Sequence, residues 1–163
     1  MFANAWFKRL LLLATHGGIG FVGFALGIYM LPILTAPDSP SDIAMMQKLN
    51  STEYVADVQR DLKDSDFLHW GEGKLRVGSD FIAFDGELAP GPDYILYLSP
   101  EFVETEADFN RLKSTMTPVG NIKTFDRFIL PLDESVNLED FTTAIVWCES
   151  FGQFITAAQF RNK

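Results

Sequence analysis

Thr143-Ala-Ile-Val-Trp-Cys-Glu-Ser-Phe151 is the stretch on which the reading of the fold turns. Ala144, Val146 and Cys148 alternate with Ile145 and Trp147, so both side-chain sets of a period-two segment are apolar. That period of two reads as a β-strand with Cys148 at its end. The alternation resumes from Phe154 to Phe160, as for a neighbouring strand.

Working outward, the same period recurs where Tyr94, Leu96 and Leu98 alternate with Ile95 and Tyr97, and where Leu75 and Val77 alternate with Lys74 and Arg76. Turn signals punctuate these runs: Gly71–Gly73, Asp85–Gly86, Pro90–Asp93, Val119–Asn121 and Pro131–Asp133. Short strands at roughly ten-residue spacing predict a mainly β domain, an antiparallel sandwich or barrel-like fold. Eleven of the 15 Phe lie from Phe67 onward and supply its core.

Upstream the period becomes helical. Ser41 or Asp42 caps a short predicted helix through about Leu49, with Ile43, Met46 and Leu49 on one face. Val55, Val58 and Leu62 fit a second helix over 55–64. Thr35 to Ser41 reads as an extended linker.

Leu10 to Leu34 holds 25 residues without a formal charge, 17 of them apolar. As a helix it reaches about 37 Å, enough to cross a hydrocarbon core of about 30 Å with some tilt. Lys8 and Arg9 precede it while Asp38 and Asp42 follow, so the positive-inside rule places the N-terminus in the cytoplasm and the rest outside the cell membrane. A cleaved signal peptide is the rival reading. The apolar run exceeds the usual 7–15 residue core of such peptides, and Pro37 follows the only small-residue cleavage candidate, Ala36. The expected organisation is a cytoplasmic segment 1–9, a single-pass transmembrane helix 10–34, a linker with a short helix 35–64, and an extracytoplasmic β domain 65–163.

Composition closes off several functions. The chain of 163 residues carries a net charge of −9, and all 22 acidic residues lie beyond Leu34 with 11 of the 13 basic ones, so the exported part stands at −11. Nucleic acid is excluded as a partner, because no basic surface exists to neutralise phosphates. With only His16 and His69, a Ser/His/Asp set or a His-rich zinc site is all but excluded. Glu101, Glu104, Glu106 and Asp108 lack the spacing of a known calcium loop and read as solvated surface. Gly18, Gly20 and Gly23 match GxGxxG literally, but inside an apolar span rather than between a strand and a helix, so a dinucleotide site is rejected. Gly23 and Gly27 instead form a GxxxG that would let two spans pack as a homodimer, with the general frequency of glycine in membrane helices as the competing reading.

Cys148 is the one cysteine. The residues leave open a buried structural thiol, a bond to another chain, a reactive thiol or a ligand. Glu149 beside it raises a thiol pKa and opposes thiolate reactivity. Trp147 and Phe151 are expected to wall the thiol, and Asp93 to fix the Pro-Asp turn.

Gly73-Lys-Leu-Arg-Val77, Asp80-Phe-Ile-Ala83, Pro92-Asp-Tyr-Ile-Leu-Tyr-Leu-Ser99, Leu112-Lys-Ser114 and Ala144-Ile-Val-Trp-Cys-Glu-Ser-Phe151, followed by Ala158 and Phe160, resemble the DM-thirteen domain family from about Ser65 to Phe160. The sequence departs from the family pattern at Phe128-Ile-Leu-Pro131, at Ile155-Thr156 and in the acidic insert Glu101 to Asn110. The resemblance implies electron transfer or oxidative modification at cell surfaces, with Cys148 as a redox thiol or as a ligand to a group such as haem. His69 falls near a histidine common in the family. On that resemblance Cys148 and His69 are the candidate cofactor-binding pair, haem the candidate cofactor, and a redox partner protein the candidate partner. The competing expectation is a cell-envelope binding or scaffolding module whose cysteine is structural.

Overall fold

A computed structural model describes residues 4–162, so the first three residues of segment 1–9 lie outside it. One long helix, α1 (Ala5–Thr35), precedes two four-stranded antiparallel sheets. It is the one described helix long and apolar enough to cross a membrane, and none of its residues is buried against the rest of the chain.

The first sheet runs in the order β1 (Thr52–Val58), β2 (Gly71–Gly78), β3 (Phe81–Leu88), β6 (Arg127–Pro131). The second runs β5 (Thr117–Ile122), β4 (Tyr94–Ser99), β7 (Thr143–Cys148), β8 (Gln153–Gln159). The sheets face each other as a sandwich rather than a closed barrel. Leu75, Val77 and Phe84 from one, and Leu96, Val146 and Ile155 from the other, meet in the main core. Ile145 and Trp147 point from β7 to the outer face, where α3 (Glu106–Leu112) covers them and Phe109 stacks on Trp147 at 3.8 Å between ring centroids. All six residues of β7 are therefore buried, as its two-sided apolar pattern requires.

The linker leads into α2 (Asp42–Leu49), capped by the Ser41 hydroxyl, which accepts the Ala44 N–H at 3.3 Å. The expected apolar face is not the one that docks. Ile43, Met46 and Leu49 are exposed, whereas Met45 packs on Phe81 and Ala83. Ion pairs at both ends, Asp42 with Arg127 and Lys48 with Asp80, fix which side of this two-turn helix faces the sheet.

A helix over 55–64 is not formed. Thr52 to Val58 is strand β1, paired antiparallel with β2, and the chain beyond it is loop. The helical spacing of Val55, Val58 and Leu62 coincides with a period-two series in which Ala56 and Val58 are buried and Val55 is exposed. Pairing with β2 satisfies the backbone and settles the choice in favour of the strand. The acidic insert contains an unanticipated element, α3, started by the Thr105 hydroxyl, which accepts the Asp108 N–H at 3.1 Å.

Three of the expected turns are interior to strands. Gly71–Gly73 lies in β2, Asp85–Gly86 in β3 and Val119–Asn121 in β5. Gly73 and Gly86 sit opposite each other in the β2–β3 register. A Cβ on Gly73 would meet the Asp85 carbonyl oxygen at 2.5 Å and Gly86 Cα at 2.6 Å, and its φ of +146° disfavours any side chain. These glycines permit close strand approach rather than reversal. Gly73→Ala is expected to destabilise the fold by about 2 kcal/mol. Gly120→Ala, whose Cβ would sit at ordinary contact distance from Leu130, is expected to leave the unfolding free energy measured by urea titration within about 0.5 kcal/mol of wild type.

Candidate functional site

Cys148 is the last residue of β7, directly opposite Tyr94 of β4. Its thiol points inward and is 2% exposed. Just beyond it the β7–β8 turn, Glu149–Gly152, closes with the Gly152 N–H donating to the Cys148 carbonyl at 2.9 Å, and Gly152 takes φ +64°. The turn is braced against the β3–β4 turn. Glu149 N–H donates to the Asp93 carbonyl at 3.0 Å, and the Ser150 hydroxyl donates to the Asp93 carboxylate at 2.9 Å. Asp93 therefore ties two turns together instead of merely shaping its own.

The thiol end of the sandwich borders a groove of about 600 Å³ against α1. From the domain come Leu68, His69, Pro90, Pro92, Phe151 and Cys148 itself; Phe21, Leu26 and Tyr29 are among the α1 residues on the other side. His69 and Cys148, which lie far apart in sequence, thus line one space. Phe151 belongs to the thiol's surroundings as expected, but Trp147 does not, because the strand alternation sends it to the α3 side.

Burial is the main influence on the thiol and pushes its pKa up, with the Asp93 carboxylate adding to the effect. The N–H groups of Phe151, Asp93 and Ser150 oppose it without overcoming it. Neighbouring Glu149 does not face the thiol. It accepts a hydrogen bond from Tyr97 and both of its oxygens lie 2.9 Å from Lys113 Nζ. Burial would raise the Glu149 pKa, but the bonds from Tyr97 and Lys113 hold it below the usual carboxylate range. At neutral pH the site is a protonated thiol beside a compensated carboxylate.

His69 Nδ1 lies 3.0 Å from Asp66 Oδ2, and the other Asp66 oxygen accepts the N–H groups of Leu68 and His69 at 2.7 and 2.8 Å. Burial acts against ionisation of Asp66, yet these bonds together hold its pKa low. The Asp66 carboxylate orients the ring as such groups orient ligating histidines, and it also closes the loop before β2. Cys148 and His69 nevertheless suit a shared haem poorly. An axial thiolate needs a deprotonated sulfur, which burial and Asp93 disfavour, and none of the groove-lining residues is a Lys or Arg to meet propionates. Among the described residues no cluster of three or more His, Cys, Asp or Glu could hold a metal ion.

The raised thiol pKa has a definite sign. A folded value above the unfolded one near 8.5 contributes stability that is complete below about pH 8.5 and is lost as pH climbs through the folded value. Native-state alkylation of Cys148 is expected to reach half its maximal rate at a higher pH than a small-molecule thiol. Asp93→Asn, which keeps an acceptor for Ser150, is expected to lower that midpoint; rate–pH profiles of both proteins check this.

No curated protein and no solved structure matches the chain. The sequence model of one family, described as Electron transfer DM13, matches residues 62–160, well over half of the chain, from the loop before β2 to the residue after β8. On that match, which takes in Cys148, His69 and seven of the eight strands, the chain belongs to the Electron transfer DM13 family.

Proposed function

We propose that this chain is a membrane-anchored, extracytoplasmic redox module in which the Cys148 thiol is the reacting group. The observation that carries the reading is the position of the only cysteine: it ends the most buried strand and forms part of the wall of an apolar groove, within reach of three backbone N–H groups. Those N–H groups supply partial positive charge where sulfur acquires negative charge or gains an oxygen. The family's electron-transfer description supports the same reading. For the anchor, α1 carries Lys8 and Arg9 before its apolar run and the acidic residues follow it, which favours a cytoplasmic N-terminus. Gly23 and Gly27, four residues apart on α1, would let two such helices approach closely and self-associate.

A second reading has a specific observation behind it. A thiol 2% exposed and held protonated also suits a structural cysteine in a binding or scaffolding module of the cell envelope. The two separate on treating the full chain, in detergent micelles, with hydrogen peroxide and a 1,3-dione that captures sulfenic acid. In the redox step, peroxide transfers one oxygen to the thiol, giving Cys–SOH, and leaves as water. Labelling of Cys148 in the folded protein, abolished in Cys148→Ala, is the expected result. Labelling only after unfolding would overturn the redox reading in favour of the structural one.

A further inference from the structure

Resting on the reading of α1 as a membrane anchor, we infer that the thiol end of the sandwich docks into the outer surface of the same bilayer, with lipid acyl chains covering its loop tips. The β1–β2 loop presents Phe67, 83% exposed, and Leu68, 42% exposed; the β7–β8 turn presents Phe151, 55% exposed. Pro90, Gly91 and Pro92 complete the same end. Large apolar side chains gathered from separate loops mark a surface that water does not cover well.

The tether identifies the occupant. Only Ala36 to Ser41 separates α1 from α2, and this segment is itself held at the thiol end: Ser39 bonds to Asp126, and Ile33 and Pro37 lie beside Trp70 and Phe125. The domain is thus fastened by its thiol end to the helix that enters the membrane. α1 has 31 residues, about 46 Å of helix against a hydrocarbon core of about 30 Å. With Leu10 at the inner boundary, about twenty residues bring the outer boundary to Tyr29, an aromatic suited to an interface. The α1 residues facing the loop tips, Phe21 to Tyr29, then lie at and below that boundary, so the groove between them opens onto acyl chains. Phe21 is about 12 Å below Tyr29 along the helix, comparable to the 5–10 Å that interfacial segments insert.

Exposed acidic residues occur at both ends, with Glu72 and Glu87 at the docking end, so the apolar tips rather than charge carry the docking. At the docking end Asp66 is held by His69 and Asp93 by Ser150. Asp133, Glu134, Glu139 and Asp140 are exposed at the other end of the strands.

The test uses the full chain in phosphatidylcholine nanodiscs, in a Cys148→Ala background, with a nitroxide attached after each of four single substitutions: Phe67→Cys, Phe151→Cys, Glu134→Cys and Ile19→Cys. Collisional relaxation by oxygen, which concentrates in hydrocarbon, is compared with that by a water-soluble nickel chelate. The expected result is an oxygen-to-nickel ratio several-fold higher at positions 67 and 151 than at position 134, and highest at position 19. High nickel accessibility at 67 and 151 with a lipid-exposed position 19 would overturn the docking alone. Low accessibility to both reagents at 67 and 151 would assign these tips to protein contact, including a second copy, and also overturn it. High nickel accessibility at position 19 would instead bring down the anchor reading on which the inference rests.

Discussion

Strand β7 must be buried on both faces, and the rest of the domain is arranged to meet that requirement. Ala144, Val146 and Cys148 need the facing sheet, while Ile145 and Trp147 need a cover on the outside. The facing sheet supplies Leu75, Val77 and Phe84; α3 supplies Phe109, which stacks on Trp147. An open sheet with one wet face could not hold this strand, because leaving Trp147 and Ile145 in water would forfeit a few kcal/mol of burial. β4 and β8 flank β7 on either side and satisfy its backbone groups, so neither edge of it is free.

The same arrangement sets the chemistry of the one thiol. Alternation turns Cys148 inward, and its place at the strand end puts it at the mouth of the sandwich rather than deep within it. Burial then dominates its protonation, Asp93 reinforces the neutral form, and the turn N–H groups moderate both. Glu149, which the sequence places next to the cysteine, is turned outward to Lys113 and Tyr97, so proximity in sequence overstates its influence. The carboxylate that matters is Asp93, from a turn more than fifty residues earlier.

Several features were legible before the structure. The period-two runs at 75–77, 94–98 and 144–148 lie in strands, the one from Phe154 does so as far as Gln159, and the apolar run from Leu10 lies in a helix, because each has a pattern long enough for its backbone preference to be unambiguous. Segment 55–64 was misread because Val55, Val58 and Leu62 satisfy a helical template while Ala56 and Val58 satisfy a strand one, and only the partner strand β2 decides between them. Gly73 and Gly86 resemble turn residues, since a sequence cannot distinguish a glycine needed for reversal from one needed where two backbones come close. α3 was hidden by its acidic composition, although Thr105 three residues before Asp108 was a readable helix start.

Of the site, the sequence by itself determined the inventory: one thiol, one histidine beyond the apolar helix, and a family match that spans both. Strand alternation sends Cys148 and Trp147 to opposite faces of β7, which the expectation of Trp147 beside the thiol overlooked. Which face is the interior, that His69 shares the thiol's groove, and that Asp93 rather than Glu149 bears on the sulfur were decided only by the tertiary structure. These depend on how loops between 59 and 152 converge at one end of two sheets. Such convergence follows from strand pairing across long separations, and no local pattern of residues encodes it.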